Sequence, residues 1–98
     1  MILMTNRPLA QGQARKLLSA ILSSVHGQIF FSGHARREME TDDLTMAEVF
    51  GMLRIGRIHE PAELVRGSWR YRVHCVAGCV VVTFPAEKIC KVVTAWRK

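Results

Sequence analysis

The chain is predicted to fold as an α+β domain, with two to three N-terminal helices packed on a twisted antiparallel sheet of about four strands. Three observations predict it. Apolar residues recur at helical spacing through the first half of the chain. After Gly56 the period changes to alternation, the mark of strands. The helical part comes first and the strand part second, with tight turn residues between strands, which is the order of an α+β domain. At 98 residues the chain fits one domain. It divides into an expected flexible end over 1–12, a helical part over 13–56 and an antiparallel sheet over 57–98.

Pro8 suits a first helical position, and Leu9, Leu17, Leu18, Ile21, Leu22 and Val25 share one helical stripe. Gly12 weakens the start, so the firm helix is expected from about Gln13. Gly27 is expected to end it as a left-handed cap. Residues 28–31 are β-prone and short, a brief strand or extended segment. Ser32 can cap a short helix running to about Glu40. Thr45 and Glu48 form a capping box, with Leu44 and Val49 as its hydrophobic staple. Met46, Val49, Phe50 and Leu53 make the buried stripe of that helix, which Gly56 ends. Arg57 to Glu60 reads as a short strand broken by Pro61. A new extended run begins at Ala62, and Arg66-Gly67 turns it. Ala77-Gly78 is expected to close a tight hairpin. Cys79 to Phe84 is almost wholly apolar, as a central strand buried on both faces would be. Pro85 to Glu87 turns the chain, and Lys88 to Trp96 is the last strand, with Trp96 in the core.

The strand Gly67-Ser-Trp-Arg-Tyr-Arg-Val-His-Cys75 has two distinct sides. Trp69, Tyr71, Val73 and Cys75 point one way, and Ser68, Arg70, Arg72 and His74 the other. The second side presents two guanidiniums and an imidazole in a row. Guanidinium forks match phosphate oxygens, so this row is a candidate phosphate-binding surface. The plain alternative is a solvated outer face of an ordinary sheet.

Net charge is +6. Residues 1–63 sum to zero, and residues 64–98 carry seven Lys or Arg against Glu87 alone. The asymmetry points to an anionic partner, either nucleic acid or an acidic protein. No apolar run reaches the roughly 18–20 residues that span a bilayer, and the N-terminus lacks a secretion-signal pattern. A cytoplasmic protein without a membrane partner is expected. Cys75, Cys79 and Cys90 read as reduced thiols. A zinc site from Cys75, Cys79 and His74 lacks paired Cys-x-x-Cys spacing, so neither a metal nor another cofactor is expected.

Several pieces together carry a family pattern. They are Phe31-Ser-Gly-His-Ala35 with Met39, Leu44-Thr45 with Glu48-Val49, Gly67-Ser-Trp-Arg-Tyr-Arg-Val73, and Val92-Val-Thr-Ala-Trp-Arg97. In order and spacing they resemble the bacterial domain-of-unknown-function family 4258, over about residues 13–97. Members of that family look like relatives of the RelE/ParE and MqsR toxins. The resemblance implies helices on a twisted antiparallel sheet. It also implies a toxin that acts as a metal-independent endoribonuclease on RNA. A cognate antitoxin, in some members a zinc-ribbon protein, is the implied partner. One motif departs from the family: its helix usually reads His-Ala-x-x-Arg-Met, whereas here Glu38 precedes Met39 and the arginines are Arg36 and Arg37.

Metal-free RNA cleavage drives the 2′-hydroxyl onto the adjacent phosphorus. It requires a base, an acid and cations for the phosphorane charge. His34 and His74 are the candidate proton carriers. Arg70 and Arg72 are candidates to hold the phosphate, with Arg37, Arg66 and Arg97 as further phosphate contacts. Tyr71 is a candidate acid, although alternation sets it opposite Arg70 and Arg72. Trp69 and Tyr71 are otherwise expected in the core or between two copies of the chain, which leaves a homodimer open. His26 and His59 read as loop residues. The alternative function is a non-catalytic module that binds nucleic acid or protein on the same fold.

Overall fold

The computed structural model of the protein describes residues 7–98. In chain order the elements are α1 (Gln11–Ser23), β1 (Gln28–Phe31), α2 (Gly33–Thr41), α3 (Met46–Ile55), β2 (Glu63–Val65), β3 (Ser68–Cys75), β4 (Gly78–Ala86) and β5 (Ile89–Arg97). The α+β class is as the sequence predicts. Three helices accompany one five-stranded sheet of order β1-β5-β4-β3-β2. The sheet is mixed, because β1 runs parallel to β5 while the other neighbours are antiparallel. Local pattern offered a strand at 28–31 but could not reveal its parallel pairing: Ile29 pairs with Cys90, 61 positions away in sequence. Of the flexible end expected over 1–12, residues 1–6 lie outside the described residues. Leu9 is tied down, its N–H donating to the Tyr71 hydroxyl at 2.9 Å.

Helix α1 begins two residues before Gln13, because the Gln13 side chain turns back to accept from the Ala10 N–H at 3.0 Å. It buries Ala14, Leu18 and Ile21, one residue per turn of a single stripe. Gly27 does not act as a left-handed cap. The helix ends at Ser24 in extended conformation, and Gly67 is the glycine with positive φ among the described residues. Gly27 is needed for closeness instead, since a Cβ there would lie 2.1 Å from the Ile21 carbonyl oxygen.

The Ser32 cap on α2 is present. Its hydroxyl accepts from the Ala35 N–H at 3.0 Å and donates to the Val93 carbonyl at 3.0 Å. The α3 capping box is also present: Glu48 N–H donates to the Thr45 hydroxyl at 3.1 Å, and Thr45 N–H donates to the Glu48 carboxylate at 3.0 Å. Such a cap stabilises a helix by about 1 kcal/mol. Leu44, Val49 and Leu53 are buried as expected, but Met46, in the first turn, is exposed and Met52 takes its place in the core.

The hairpin turns differ slightly from expectation. Arg66 and Gly67 both have positive φ, as a primed two-residue turn requires. The β3–β4 loop is Val76-Ala77, one residue early, with Cys75 opposite Gly78. Gly78 is fixed by close approach, because a Cβ would meet the Trp96 carbonyl oxygen at 2.0 Å. The strand expected over 57–60 reduces to one bridge, in which Arg57 and His74 exchange two backbone bonds of 2.8 Å.

Strand β4 is buried on both sides, as its composition predicts. Val80, Val82 and Phe84 join Tyr71, Val73, Cys90, Val92 and Ala95 in one core with Leu18, Val49 and Leu53 of the helices. Each fully buried aliphatic side chain of this kind contributes about 1.5–3 kcal/mol. Cys79 and Val81 are buried on the other face. Helix α2 lies along the part of β5 beyond Val92, where its pairing with β1 stops, and substitutes side chains for a further strand. Ala95 N–H donates to Glu38 at 3.3 Å, and Arg97 N–H donates to Asp42 at 3.1 Å. Those carboxylates satisfy an edge that would otherwise be open to pairing with another chain.

Candidate functional site

The pleat of β3 sends Tyr71 and Val73 into the helical core and Arg70, Arg72 and His74 to the opposite face. On that face a groove of about 200 Å³ is lined by Glu60, Pro61, Glu63, Arg70, Arg72, Val81, Thr94 and Trp96. Cross-strand register explains the assembly. Arg72 lies opposite Val81, which lies opposite Thr94, and His74 lies opposite Cys79, which lies opposite Trp96. The apolar middle strand forms the floor, and polar and aromatic groups from its two neighbours form the walls.

His74 is the centre of the polar network. Its Nε2 is hydrogen-bonded to Glu60 Oε1, and its other ring nitrogen has no partner among the described residues. The His59 ring sits edge-on to the His74 ring at 5.0 Å between centroids. Arg72 bridges two carboxylates, with Nη1 3.4 Å from Glu60 and Nη2 3.7 Å from Glu63. The hydrogen bond from His74 holds the Glu60 carboxyl below its ordinary range, with attraction from His74 and Arg72 adding to it. Glu60 is therefore a carboxylate near neutral pH, able to orient the imidazole and fix its tautomer.

Arg70 differs from Arg72. Its Nε is buried without a hydrogen-bond partner, and no carboxylate is paired with it, among the described residues. A guanidinium nitrogen in that state costs free energy until an acceptor reaches it.

A second imidazole connects to the groove indirectly. His34 Nε2 is 3.4 Å from Glu38, and Glu38 also accepts from the Thr94 hydroxyl. Glu38 stands where the family pattern has arginine, and it serves the β5 edge. Arg37 is exposed beside a shallow hollow with His34 and Asp42, on α2 rather than in the groove.

Besides His34 and Arg37, three more expected site residues lie outside the groove. Tyr71 faces the core, where its hydroxyl accepts from Leu9 and burial raises its pKa. The pleat sets it on the opposite side of β3 from Arg70 and Arg72, outside the groove. Arg97 is occupied by the α2–α3 connection. It donates to the Asp42 and Asp43 carbonyls at 3.3 and 2.8 Å and to Glu48 at 2.9 Å. Arg66 forms the β2–β3 turn and is exposed there.

Sequence reasoning missed Glu60, Glu63, Thr94 and His59, and placed Trp96 in the core. Trp96 is in fact 36% exposed and lines the groove. Cys79 and Cys90 are buried free thiols, pushed by burial up to about 11 and about 12, and Cys75 is half-buried. Among the described residues no three His, Cys, Asp or Glu side chains converge as a metal site requires. No helix in them is long and apolar enough to cross a membrane.

Comparison with family models, curated proteins and solved structures returns no match for this chain. The likeness to family 4258 therefore stays a resemblance of motifs.

Proposed function

We propose that the open sheet face binds single-stranded RNA and cleaves it with the chain's own side chains, as the toxin member of a toxin–antitoxin pair. The single observation that carries the reading is the Glu60–His74–His59 arrangement beside Arg70 and Arg72. With its proton held on Nε2 toward Glu60, His74 offers Nδ1 as the base that takes the 2′-hydroxyl proton. The oxygen so freed attacks the adjacent phosphorus, giving a 2′,3′-cyclic phosphate and releasing the 5′-oxygen. His59 is assigned to protonate that leaving oxygen. Arg70 faces the phosphorane charge, and Trp96 offers a ring for a base to stack on. Positioned acid–base groups of this kind contribute about 10²–10⁴-fold in rate.

Purified protein should cut a mixed-sequence RNA in EDTA and leave cyclic phosphate ends. His74→Ala and Arg70→Ala should each lower the rate at least about a hundredfold. Cleavage undiminished in both variants would sink the assignment. Growth arrest on expression alone, relieved by a neighbouring small protein, would support the toxin role.

One observation favours a second reading, a non-catalytic binding module. Glu60 and Glu63 already pair with Arg72, and Glu48 engages Arg97, so two arginines of the basic C-terminal third are engaged within the chain. Salt-sensitive RNA binding with no cleavage over hours would decide for it.

A further inference from the structure

The sheet opens at one end. Strand β3 pairs with β4 only from Tyr71 to Cys75, whereas Ser68–Arg70 pair with β2 instead. The first residues of β3 and the last residues of β4 thus diverge. The gap forms a cleft of about 280 Å³, separate in position from the groove of Glu60, Arg72 and Trp96 but sharing Arg70 with it.

The polar groups of this cleft are unusual in their balance. Arg70 lines it and carries a buried Nε with no hydrogen-bond partner among the described residues. Thr83 is the buried polar residue of the described chain, at 8% exposure, and it lines the cleft. Lys91 stands opposite Thr83 across β4 and β5 and lines the same cleft. No carboxylate lines it, in contrast to the groove with Glu60 and Glu63. Two cations and a hydroxyl donor without an acid form a site for an anion. Trp69 and Pro85 add apolar wall, which suits a flat ring or a sugar beside that anion.

We infer that this cleft is a nucleotide-phosphate subsite, with the Arg70 guanidinium, the Thr83 hydroxyl and Lys91 on the phosphate and the nucleoside against Trp69 and Pro85. It rests on the RNA reading above in taking a nucleotide as the ligand. Because Arg70 borders both hollows, an RNA strand in the groove would place a flanking phosphate here.

The test is a ¹⁵N NMR titration of the full chain with adenosine 5′-monophosphate, with adenosine as control. The monophosphate should shift the amides of Ser68, Arg70 and Thr83 saturably, with a dissociation constant of about 1–10 mM, and adenosine should do so far less. Lys91→Gln and Thr83→Val should each weaken binding about two- to fivefold, and Arg70→Gln about tenfold or more. Lys91 is exposed, so its variant reports on binding even if Thr83→Val disturbs the strand. His74→Ala should bind the monophosphate as the parent does while losing RNA cleavage. Binding in the cleft with no cleavage by the parent would remove the ribonuclease reading and leave this one standing. Absence of saturable shifts at these amides, or unchanged affinity in both Lys91→Gln and Arg70→Gln, would overturn it, whatever the protein does to RNA.

Discussion

Arg97 separates a structural from a functional use of the basic sheet. Its fork donates to the carbonyls of Asp42 and Asp43, at 3.3 and 2.8 Å, just past the C-terminus of α2. A cation there also meets the negative end of the helix dipole. Its remaining contact is with Glu48, the acid of the α3 capping box. One side chain thus ties the end of α2, the left-handed turn at Asp43 and the start of α3 to the last strand. Truncation to alanine removes one short and one long charged bond to carbonyls. Those carbonyls remain open to water, so no full burial penalty follows. The two bonds together are worth about 1–2 kcal/mol, and the exposed Glu48 pair adds a salt-screened remainder. For a domain of this size that corresponds to a fall in melting temperature of about 4–16 °C. Arg97→Lys keeps the charge but cannot span all three acceptors, so it should recover only part of the loss. Urea and thermal unfolding followed by far-UV circular dichroism measure both variants, and RNA binding is measured alongside. Arg97→Ala should be less stable while binding RNA nearly as well as the parent when folded. If it unfolds with the parent and loses RNA affinity tenfold, Arg97 is a phosphate ligand and its structural assignment is wrong.

Three further outcomes follow from the same geometry. Tyr71→Phe should cost about 1 kcal/mol in urea unfolding, because the Leu9 N–H loses its acceptor, and should leave RNA cleavage unchanged. Because the folded Glu60 carboxyl titrates below its ordinary 4.5, its stabilising contribution is complete above that pH and is lost as pH falls through the folded value. The parent should therefore exceed Glu60→Gln in stability at neutral pH, and the gap should close on acidification; a gap constant from pH 7 to 3 would contradict the pairing. Cys79 and Cys90, raised to about 11 and about 12, hold on the order of a thousandth or less thiolate at pH 8. Ellman's reagent should reach them only on unfolding, and fast labelling of either in native protein would refute their burial.

Local pattern was a good guide wherever a single element answers to its own residues. The Thr45–Glu48 box, the Ser32 cap, the two-sided β3 and the doubly buried β4 all depend on neighbours within a few positions. Charge was a poorer guide because it is a property of the folded surface. The basic excess lies after residue 64 in sequence, yet acids from the first two thirds fold back onto it. Glu60 and Glu63 meet Arg72, Glu48 meets Arg97, and Asp42 meets the Arg97 backbone. Among the described residues the cation with a buried nitrogen lacking a hydrogen-bond partner is Arg70, which sequence pattern could not distinguish from Arg72 two positions away.

Trp96 shows the physical limit most clearly. Counted by strict alternation, Cys90, Val92, Thr94 and Trp96 share one side of β5, and the first two are core residues. That reasoning buries Trp96. In the sheet, Val82 pairs with Val92 but Val81 pairs with Thr94, so Val93 is an extra residue on β5. A bulge of one residue reverses every side chain beyond it. Ala95 turns inward and becomes fully buried, while Trp96 turns out to the groove opposite Cys79. Nothing in Val92-Val-Thr-Ala-Trp96 announces the bulge, since each of these residues is at home on either face. The offset belongs to the pairing of two strands. It delivers the aromatic ring to the same face as Arg72 and His74, and the proposed RNA surface depends on that delivery.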